Sequence, residues 1–220
     1  THKSGGTNFT NSILIGHATT GTLNSAQHNT GVGITALDGL TTADSNAAVG
    51  SQAGTLISTS PNNSLFGRAA GASMTTGVGN NTAIGYSALW GTNTGSHNIG
   101  IGSNSGDNIT TGSGNVIIGD NVDAAAADSA RTLKIAGYDG STTTTWISGD
   151  GSGNLTFPAN LTVGGNVIIG SATVTEAQLE ILDGATITTT ELNLIDGGAT
   201  IGTTAVADGD GIVTNDGGTM

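Results

Sequence analysis

Apolar and polar positions recur in one regular phrase through the first half of the chain. Each unit has an Asn, two or three small or β-branched residues, a Gly, and then polar residues that end in a Thr/Gly turn. The clearest copies lie between residues 81 and 119, as NTAIGYSALWGTNTGSH, NIGIGSNSGDNITTGSG and NVIIG. The repeated glycines, evenly spaced except for one extra position between the fourth and the fifth, are Gly16, Gly33, Gly50, Gly67, Gly85, Gly102 and Gly119. The matching asparagines are Asn11, Asn29, Asn46, Asn63, Asn81, Asn98 and Asn115.

This pattern predicts one short strand and a set of turns in every unit. A run of four or five β-prone residues that ends at Gly is typical of a strand, and the following Thr, Gly, Ser and Asn residues favour turns. A second, weaker strand is expected in most units, for example at residues 55–57 and 108–110. Because one unit is too short to bury an apolar face alone, we expect the units to stack. The predicted fold is all-β, an elongated β-solenoid or β-roll-like shaft.

The fixed Gly and the fixed Asn each have two explanations. The Gly either adopts a positive φ at a corner or allows close approach of two backbone segments. The Asn either forms an inward-facing ladder that satisfies backbone groups, or merely favours turns and left-handed backbone. The sequence does not decide between the members of either pair.

The composition changes along the chain and divides it into three regions. Residues 1–122 hold the seven repeats, residues 123–158 interrupt the period, and residues 159–220 contain a different repeat. In the middle region, alternating Leu133, Ile135 and Trp146 with Asp-Gly and Gly-Asn turns predict a small antiparallel meander, a knob or linker.

The third region repeats with a shorter period, since ATVTEAQLEILDG at 172–184 is followed directly by ATITTTELNLIDG at 185–197. Each copy opens with a β-branched triplet and continues with the spelling of a capping box, before a Gly that suits the end of a helix. The predicted helix caps are Thr175, Gln178, Gly184, Thr188, Glu191 and Gly197. Helices of two turns are unstable alone, so we expect them to pack against symmetry-related copies.

The composition narrows the possible functions. With 38 Gly and 3% aromatic residues, the chain can form only a narrow hydrophobic core. Disorder is the alternative for such a chain, but the apolar residues hold fixed places and only two prolines occur. A net charge of −12 argues against nucleic acid as a partner. Cysteine is absent, and no apolar run is long enough for a membrane helix, so membrane insertion is not expected.

No catalytic, cofactor-binding or metal-binding residue is predicted. The histidines, which lack metal-ligand spacing, are His2, His17, His28 and His97. In a trimer, one His facing the axis could still form a three-His site. Residues 149–157 only faintly resemble a calcium-binding nonapeptide, and most carboxylates precede Gly, as turns favour. A glycosidase pair of carboxylates is not identifiable, and Trp90 and Trp146 each stand alone as sugar platforms.

The phrases between residues 81 and 119 resemble repeats of bacteriophage tail-fibre and related virion-appendage proteins, in which NTAIGYxAL and GSNNxAIG recur. TELNLIDG resembles an element of phage fibre proteins as well. The repeats are also similar to those in the heads of trimeric autotransporter adhesins, whose period is shorter. The resemblance implies an elongated homotrimer with a β-rich shaft.

Three functions follow as hypotheses. The first is a structural fibre protein of a phage tail, located on the virion, that contacts other tail proteins and a host-surface glycan or protein receptor. The second is a trimeric autotransporter-type adhesin on a bacterial surface. The third is a tail-associated polysaccharide depolymerase. We expect a structural protein and not an enzyme.

Overall fold

The computed structural model describes residues 2–16, 20–76, 79–164, 167–169 and 172–174, and these residues contain strands and turns but no helix. The chain divides into two compact units, Thr1–Leu161 and Thr162–Met220. The strands are β1 (His2–Ser4), β2 (Phe9–Thr10), β3 (Ile13–Ile15), β4 (Ala26–Gln27), β5 (Thr30–Val32), β6 (Ala47–Val49), β7 (Ser64–Phe66), β8 (Thr82–Ile84), β9 (Ile99–Ile101), β10 (Val116–Ile118), β11 (Leu133–Tyr138), β12 (Thr143–Gly149), β13 (Leu155–Thr156), β14 (Val167–Ile169) and β15 (Ala172–Val174).

One parallel ladder organises the first unit. Strands β3, β5 to β10 and β11 follow one another in the sheet, and every neighbouring pair among them is parallel. Leu14 pairs with Gly31, which pairs with Ala48, so one full coil separates equivalent positions. The predicted β-solenoid is therefore confirmed, with about seven coils.

The period extends further than the repeated phrase. Val116 of β10 pairs with Leu133 of β11, again one full coil later, and the parallel register holds as far as Ile135. Only then does the chain turn back into an antiparallel hairpin of β11 and β12, followed by β13. The meander thus begins as the eighth rung of the ladder. At the other end, β1 runs antiparallel to β3.

The second strand expected in most units does not form at the two example positions. Residues 55–57 and 108–110 lie in turns, bends and irregular backbone. The reason is local, since Gln52 and Gly54 adopt left-handed backbone with φ of 65° and 58°, which curls the chain instead of extending it. Hydrogen bonds still join successive coils here, as the Gly39 N–H donates to the Thr55 carbonyl at 2.8 Å.

The interior of the coil is narrow and alternates large and small residues. The middle residue of each three-residue strand in the parallel ladder, β3 and β5 to β10, is buried, and where it is Gly a neighbouring Leu occupies the space. A Cβ at Gly31 would lie 2.5 Å from the Leu14 side chain, and a Cβ at Gly100 would lie 2.8 Å from Leu89. Fully buried apolar residues include Leu14, Leu37, Leu40, Ile57, Leu65, Leu89, Ile109 and Ile117. Each coil adds only a few apolar groups, so stability depends on stacking.

The second unit is described only in part. Strands β14 and β15 form an antiparallel pair in which Val167 lies opposite Val174. The predicted helical turns, with caps Thr175, Gln178, Gly184, Thr188, Glu191 and Gly197, lie outside the described residues.

Candidate functional site

An asparagine ladder runs through the interior of the solenoid. Its members, each at most 2% exposed, are Asn29, Asn46, Asn63, Asn81, Asn98 and Asn115. The Oδ1 atom of each accepts a hydrogen bond from the backbone N–H of the next member, at 2.9–3.0 Å. The Nδ2 groups of Asn29, Asn81, Asn98 and Asn115 donate to carbonyls in the turn before the next strand, as Asn98 does to Gly112 at 2.9 Å, whereas those of Asn46 and Asn63 donate to carbonyls just before their own strands. Each amide therefore ties two coils together and satisfies turn backbone that water does not reach.

Asn11 is not a member of this ladder. It is exposed, has a φ of 52°, and its Nδ2 lies 3.2 Å from His28 Nε2. Ser12 holds the position instead, since its hydroxyl accepts the hydrogen bond from the Asn29 N–H at 2.9 Å. The phrase places Asn11 one position early, because it is Ser12 that stands one full period before Asn29. At the far end, the Thr132 N–H and hydroxyl both donate to Asn115 Oδ1.

Left-handed backbone occurs at the residue that immediately precedes each ladder asparagine. The residue that precedes each buried amide has a positive φ, between 54° and 74°, in His28, Ser45, Asn62, Asn80, His97 and Gly114. The two explanations for the fixed Asn thus apply to adjacent positions. The ladder residue bonds inward, and its neighbour turns the corner.

The repeated glycines meet both of the requirements expected of them. Their φ values lie between 108° and 140°, a region that other residues rarely adopt. A Cβ at Gly33 would lie 2.5 Å from the Gly50 carbonyl oxygen, on the next coil. The same close approach recurs at Gly50, Gly67, Gly85 and Gly102. These glycines set the corner after each strand and allow the coils to stack closely.

The outer face of the ladder carries an apolar column that stays exposed among the residues described. We call it the sheet stripe, and it consists of Ile15, Val32, Val49, Phe66, Ile84, Ile101 and Ile118. These residues are partly or largely exposed, with Ile15 at 45% and Phe66 at 44%. The three-residue strands β3 and β5 to β10 contain no charged residue, although the chain has 16 carboxylates. Charge is therefore kept off this face.

The hairpin carries an exposed indole at an irregular position. Ile147 pairs with Ile135 while Thr145 pairs with Ala136, so Trp146 is the extra residue of a β-bulge in β12. Its ring lies over Gly137, where an added Cβ would come within 2.6 Å of Cζ2. A recess of about 370 Å³ beside the ring is lined by Gly137, Tyr138, Asp139, Thr142, Thr144 and Trp146. Trp90, the other indole, lies on the solenoid and is 50% exposed.

Two turns are held by carboxylates. Asp139 Oδ1 accepts hydrogen bonds from the N–H groups of Thr142 and Ser141, at 2.8 and 2.9 Å, which lower the pKa of Asp139. Asp150 stabilises a turn in the same way within residues 149–157, the segment that faintly resembles a calcium-binding nonapeptide. Its Oδ2 accepts from Asn154 Nδ2 at 2.8 Å and its Oδ1 from the Asn154 N–H at 3.0 Å, and these bonds lower the pKa of Asp150. Both carboxylates thus act in turn formation.

One carboxylate pair links two coils. Burial first, and then a hydrogen bond with Asp123 and its negative charge, raise the pKa of Asp107 from 3.8 to about 6. Asp107 is consequently protonated more readily than an ordinary aspartate.

The histidines do not come together within the described part of the chain. His2, His28 and His97 are exposed, and His97 Nδ1 lies 3.1 Å from the Ser96 hydroxyl. His17 lies outside the described residues. No group of three or more His, Cys, Asp or Glu suited to a metal ion occurs among the residues described. A three-His site on a trimer axis remains a prediction.

Comparison of the chain with protein-family models, curated proteins and solved structures gives no match. Within the described ranges, no helix has the length and apolar character needed to cross a membrane. The assignment of function therefore depends on the solenoid, its sheet stripe and the hairpin.

Proposed function

We propose that this chain is a shaft segment of a bacteriophage tail fibre, which works as a homotrimer and holds a host-binding region away from the virion. The observation that carries the proposal is the sheet stripe, an apolar column along strands β3 and β5 to β10, which contain no charged residue. The resemblance of the repeats to tail-fibre phrases supplies the biological setting.

The size of the face supports association through it. Six strand spacings of about 4.8 Å make the face of these seven strands about 29 Å long, and three residues of about 3.3 Å make it about 10 Å wide, roughly 290 Å² in plane. The largest apolar patch on a typical monomeric protein covers roughly 300–600 Å² and is often functional, and this face is close to that size. Charge is depleted in the centre of protein interfaces, and this face follows that rule.

A repeated column is best covered by another repeated column of the same spacing. A second copy of the chain presents apolar side chains at the same intervals, so contacts made at one coil recur at every coil. Three copies around an axis parallel to the ladder would cover all three stripes, whereas closed symmetry limits further growth. The resulting shaft is stiff because the coils cannot slide independently.

Sedimentation equilibrium with an Ile84→Glu variant tests this proposal. The native chain should sediment at three times the mass of one chain, and the charge placed in the stripe should shift the mass towards the monomer. Leu56→Glu is the matched control, because Leu56 is 49% exposed and lies outside the stripe. Circular dichroism should show that all three proteins remain folded. A native chain that is monomeric at micromolar concentration would refute the trimer.

The virion assignment has its own test in the flanking coding sequence. Neighbouring tail components would support the phage fibre. A secretion signal upstream together with a membrane anchor downstream would instead favour the autotransporter-type adhesin.

A further inference from the structure

We infer that the β11–β12 hairpin carries a binding site for a neutral saccharide, built around Trp146. This inference rests on the proposed function, since it assigns the receptor contact of the fibre to one surface and one ligand class. Three features that lie side by side support it. The β-bulge leaves the indole of Trp146 exposed, Gly137 lies behind the ring, and hydroxyl and carboxylate groups surround a shallow recess.

The position of Trp146 is set by the backbone and not by burial. A β-bulge re-aims the side chain of its extra residue, and such bulges are enriched beside functional sites. Here the bulge leaves the ring 58% exposed while its inner face lies against Gly137. The ring is therefore supported from behind and open in front.

The groups around the ring match the two-sided chemistry of a sugar. One face of a pyranose ring presents C–H groups that pack on an aromatic surface, and its edge presents hydroxyls that need hydrogen-bond partners. Thr142, Thr144 and Tyr138 line the recess and each carries a hydroxyl that both donates and accepts. The hydrogen bonds that Asp139 accepts all end on Oδ1, so Oδ2 is free to accept from a ligand hydroxyl.

Charge and size select the ligand class. The carboxylate of Asp139, in a chain of net charge −12, repels acidic sugars and favours neutral ones. The recess of about 370 Å³ falls at the lower end of the range of roughly 300–1,000 Å³ for small-molecule sites.

The affinity of one such site should be low and should gain from repetition. A single stacked ring with a few hydrogen bonds gives a Kd on the order of 1 mM. Copies of the hairpin on one fibre would add to the avidity without any new contact. The Trp146 site therefore needs no deep pocket to serve in attachment.

Saturation-transfer NMR on the full chain tests the inference, with maltohexaose and cellohexaose as neutral probes and 3′-sialyllactose as the acidic probe. At least one neutral probe should bind, and the acidic probe should not. Trp146→Ala should weaken that binding at least tenfold. Trp90→Ala, which removes a similarly exposed indole on the solenoid, should leave it unchanged.

A second variant keeps the indole but moves it. Gly137→Ala places a methyl group against the ring, so it should weaken binding while the hairpin stays folded by circular dichroism. The inference is overturned if neither neutral probe binds, if Trp146→Ala binds as the native chain does, or if only the acidic probe binds. Binding of a host protein that depends on Trp146 without any sugar binding would also overturn it.

Acrylamide quenching in the assembled protein separates this inference from the proposed function. Fluorescence of a Trp90→Phe variant reports Trp146 alone and should be quenched readily. A shielded ring in a trimeric protein would overturn the saccharide site while leaving the trimeric shaft intact. Sugar binding by a protein that sediments as a monomer would preserve the site and remove the homotrimer.

Discussion

An amide side chain suits the interior column because one position must accept and donate at once. Asn98 illustrates this, since its Oδ1 accepts from the N–H and the Nδ2 of Asn115, and its own Nδ2 donates to Gly112. A hydroxyl can replace it only where one neighbour is missing, as Ser12 and Thr132 do at the two ends. The ladder is therefore a chain of obligate hydrogen bonds in an interior that water does not reach.

Replacing Asn98 with Ala should destabilise the solenoid by about 3 kcal/mol, because each buried group left without a partner costs about 1–3 kcal/mol. The free energy of unfolding from urea titration measures the effect. Asn24→Ala is the control, since Asn24 is exposed and outside the ladder, and it should change stability by less than about 0.5 kcal/mol. Equal effects of the two substitutions would contradict the structural role of the ladder.

The sequence indicates much at the residue scale, but not the direction in which each side chain points. The period locates the Gly corners, because a positive φ with close coil contact leaves few alternatives to Gly. It does not show that Ile84 points outward while Ala83 points inward, since both belong to the same apolar pair. Three-residue strands are too short for alternation to reveal a buried face, so the sheet stripe could not be predicted.

At the element scale, successive coils interact through more than their strands. Asp107 and Asp123 lie on adjacent coils, and the raised pKa of Asp107 means that the folded protein binds a proton there at a higher pH than the unfolded chain does. The stability contributed by the protonated carboxyl is fully present below the unfolded pKa of 3.8 and is lost as the pH rises through about 6.

Asp107→Asn should therefore change the pH dependence of stability. The variant should match the native chain near about pH 4 and have a higher Tm at about pH 7.5, because a neutral amide avoids the charged pair. Thermal unfolding followed by circular dichroism across this range provides the measurement. Asp120→Asn, at an exposed carboxylate, should show no such divergence. A Tm difference that is constant with pH would contradict the interpretation.

The element pattern was predictable in its strongest part and misleading in its weaker part. The strand before each Gly follows directly from β-branched residues at a fixed spacing. Residues 55–57 have similar composition, yet they form no strand because left-handed Gln52 and Gly54 have already turned the chain. The pairing of Leu133 in the eighth rung of the ladder could not be predicted either, since Thr132 and Ala136 occupy the positions at which the other repeats have Asn and Gly.

At the scale of the whole molecule, the first unit behaves as a one-dimensional stack in which each coil contacts its neighbours. Equivalent residues of adjacent coils share conformation as well as position. Asn80 and His97, for example, precede successive ladder residues with φ of 64° and 59°. If one coil is removed and its two neighbours are joined, every corner should therefore keep its backbone conformation.

Deletion of residues 81–97 should yield a folded solenoid that is one coil, or about 4.8 Å, shorter. The cut connects Asn80 to Asn98 and restores the ladder with Asn63 as the preceding member. Circular dichroism and small-angle scattering should show native-like strands and a reduced length. Deletion of residues 81–89 removes half a coil, breaks the register, and should abolish cooperative unfolding. A similar outcome for both deletions would argue against modular stacking.

The antiparallel strand β1 affects whether two such molecules can associate through the edges of their sheets. A bare parallel rung exposes unpaired amides that would template further chains, as in amyloid growth. Here β1 covers that rung with three residues that include Lys3, and the opposite margin of the sheet is the two-residue β13. Because β1 and β13 are both short, they disfavour tip-to-tip polymerisation through themselves, while side-by-side contact between neighbouring molecules stays open.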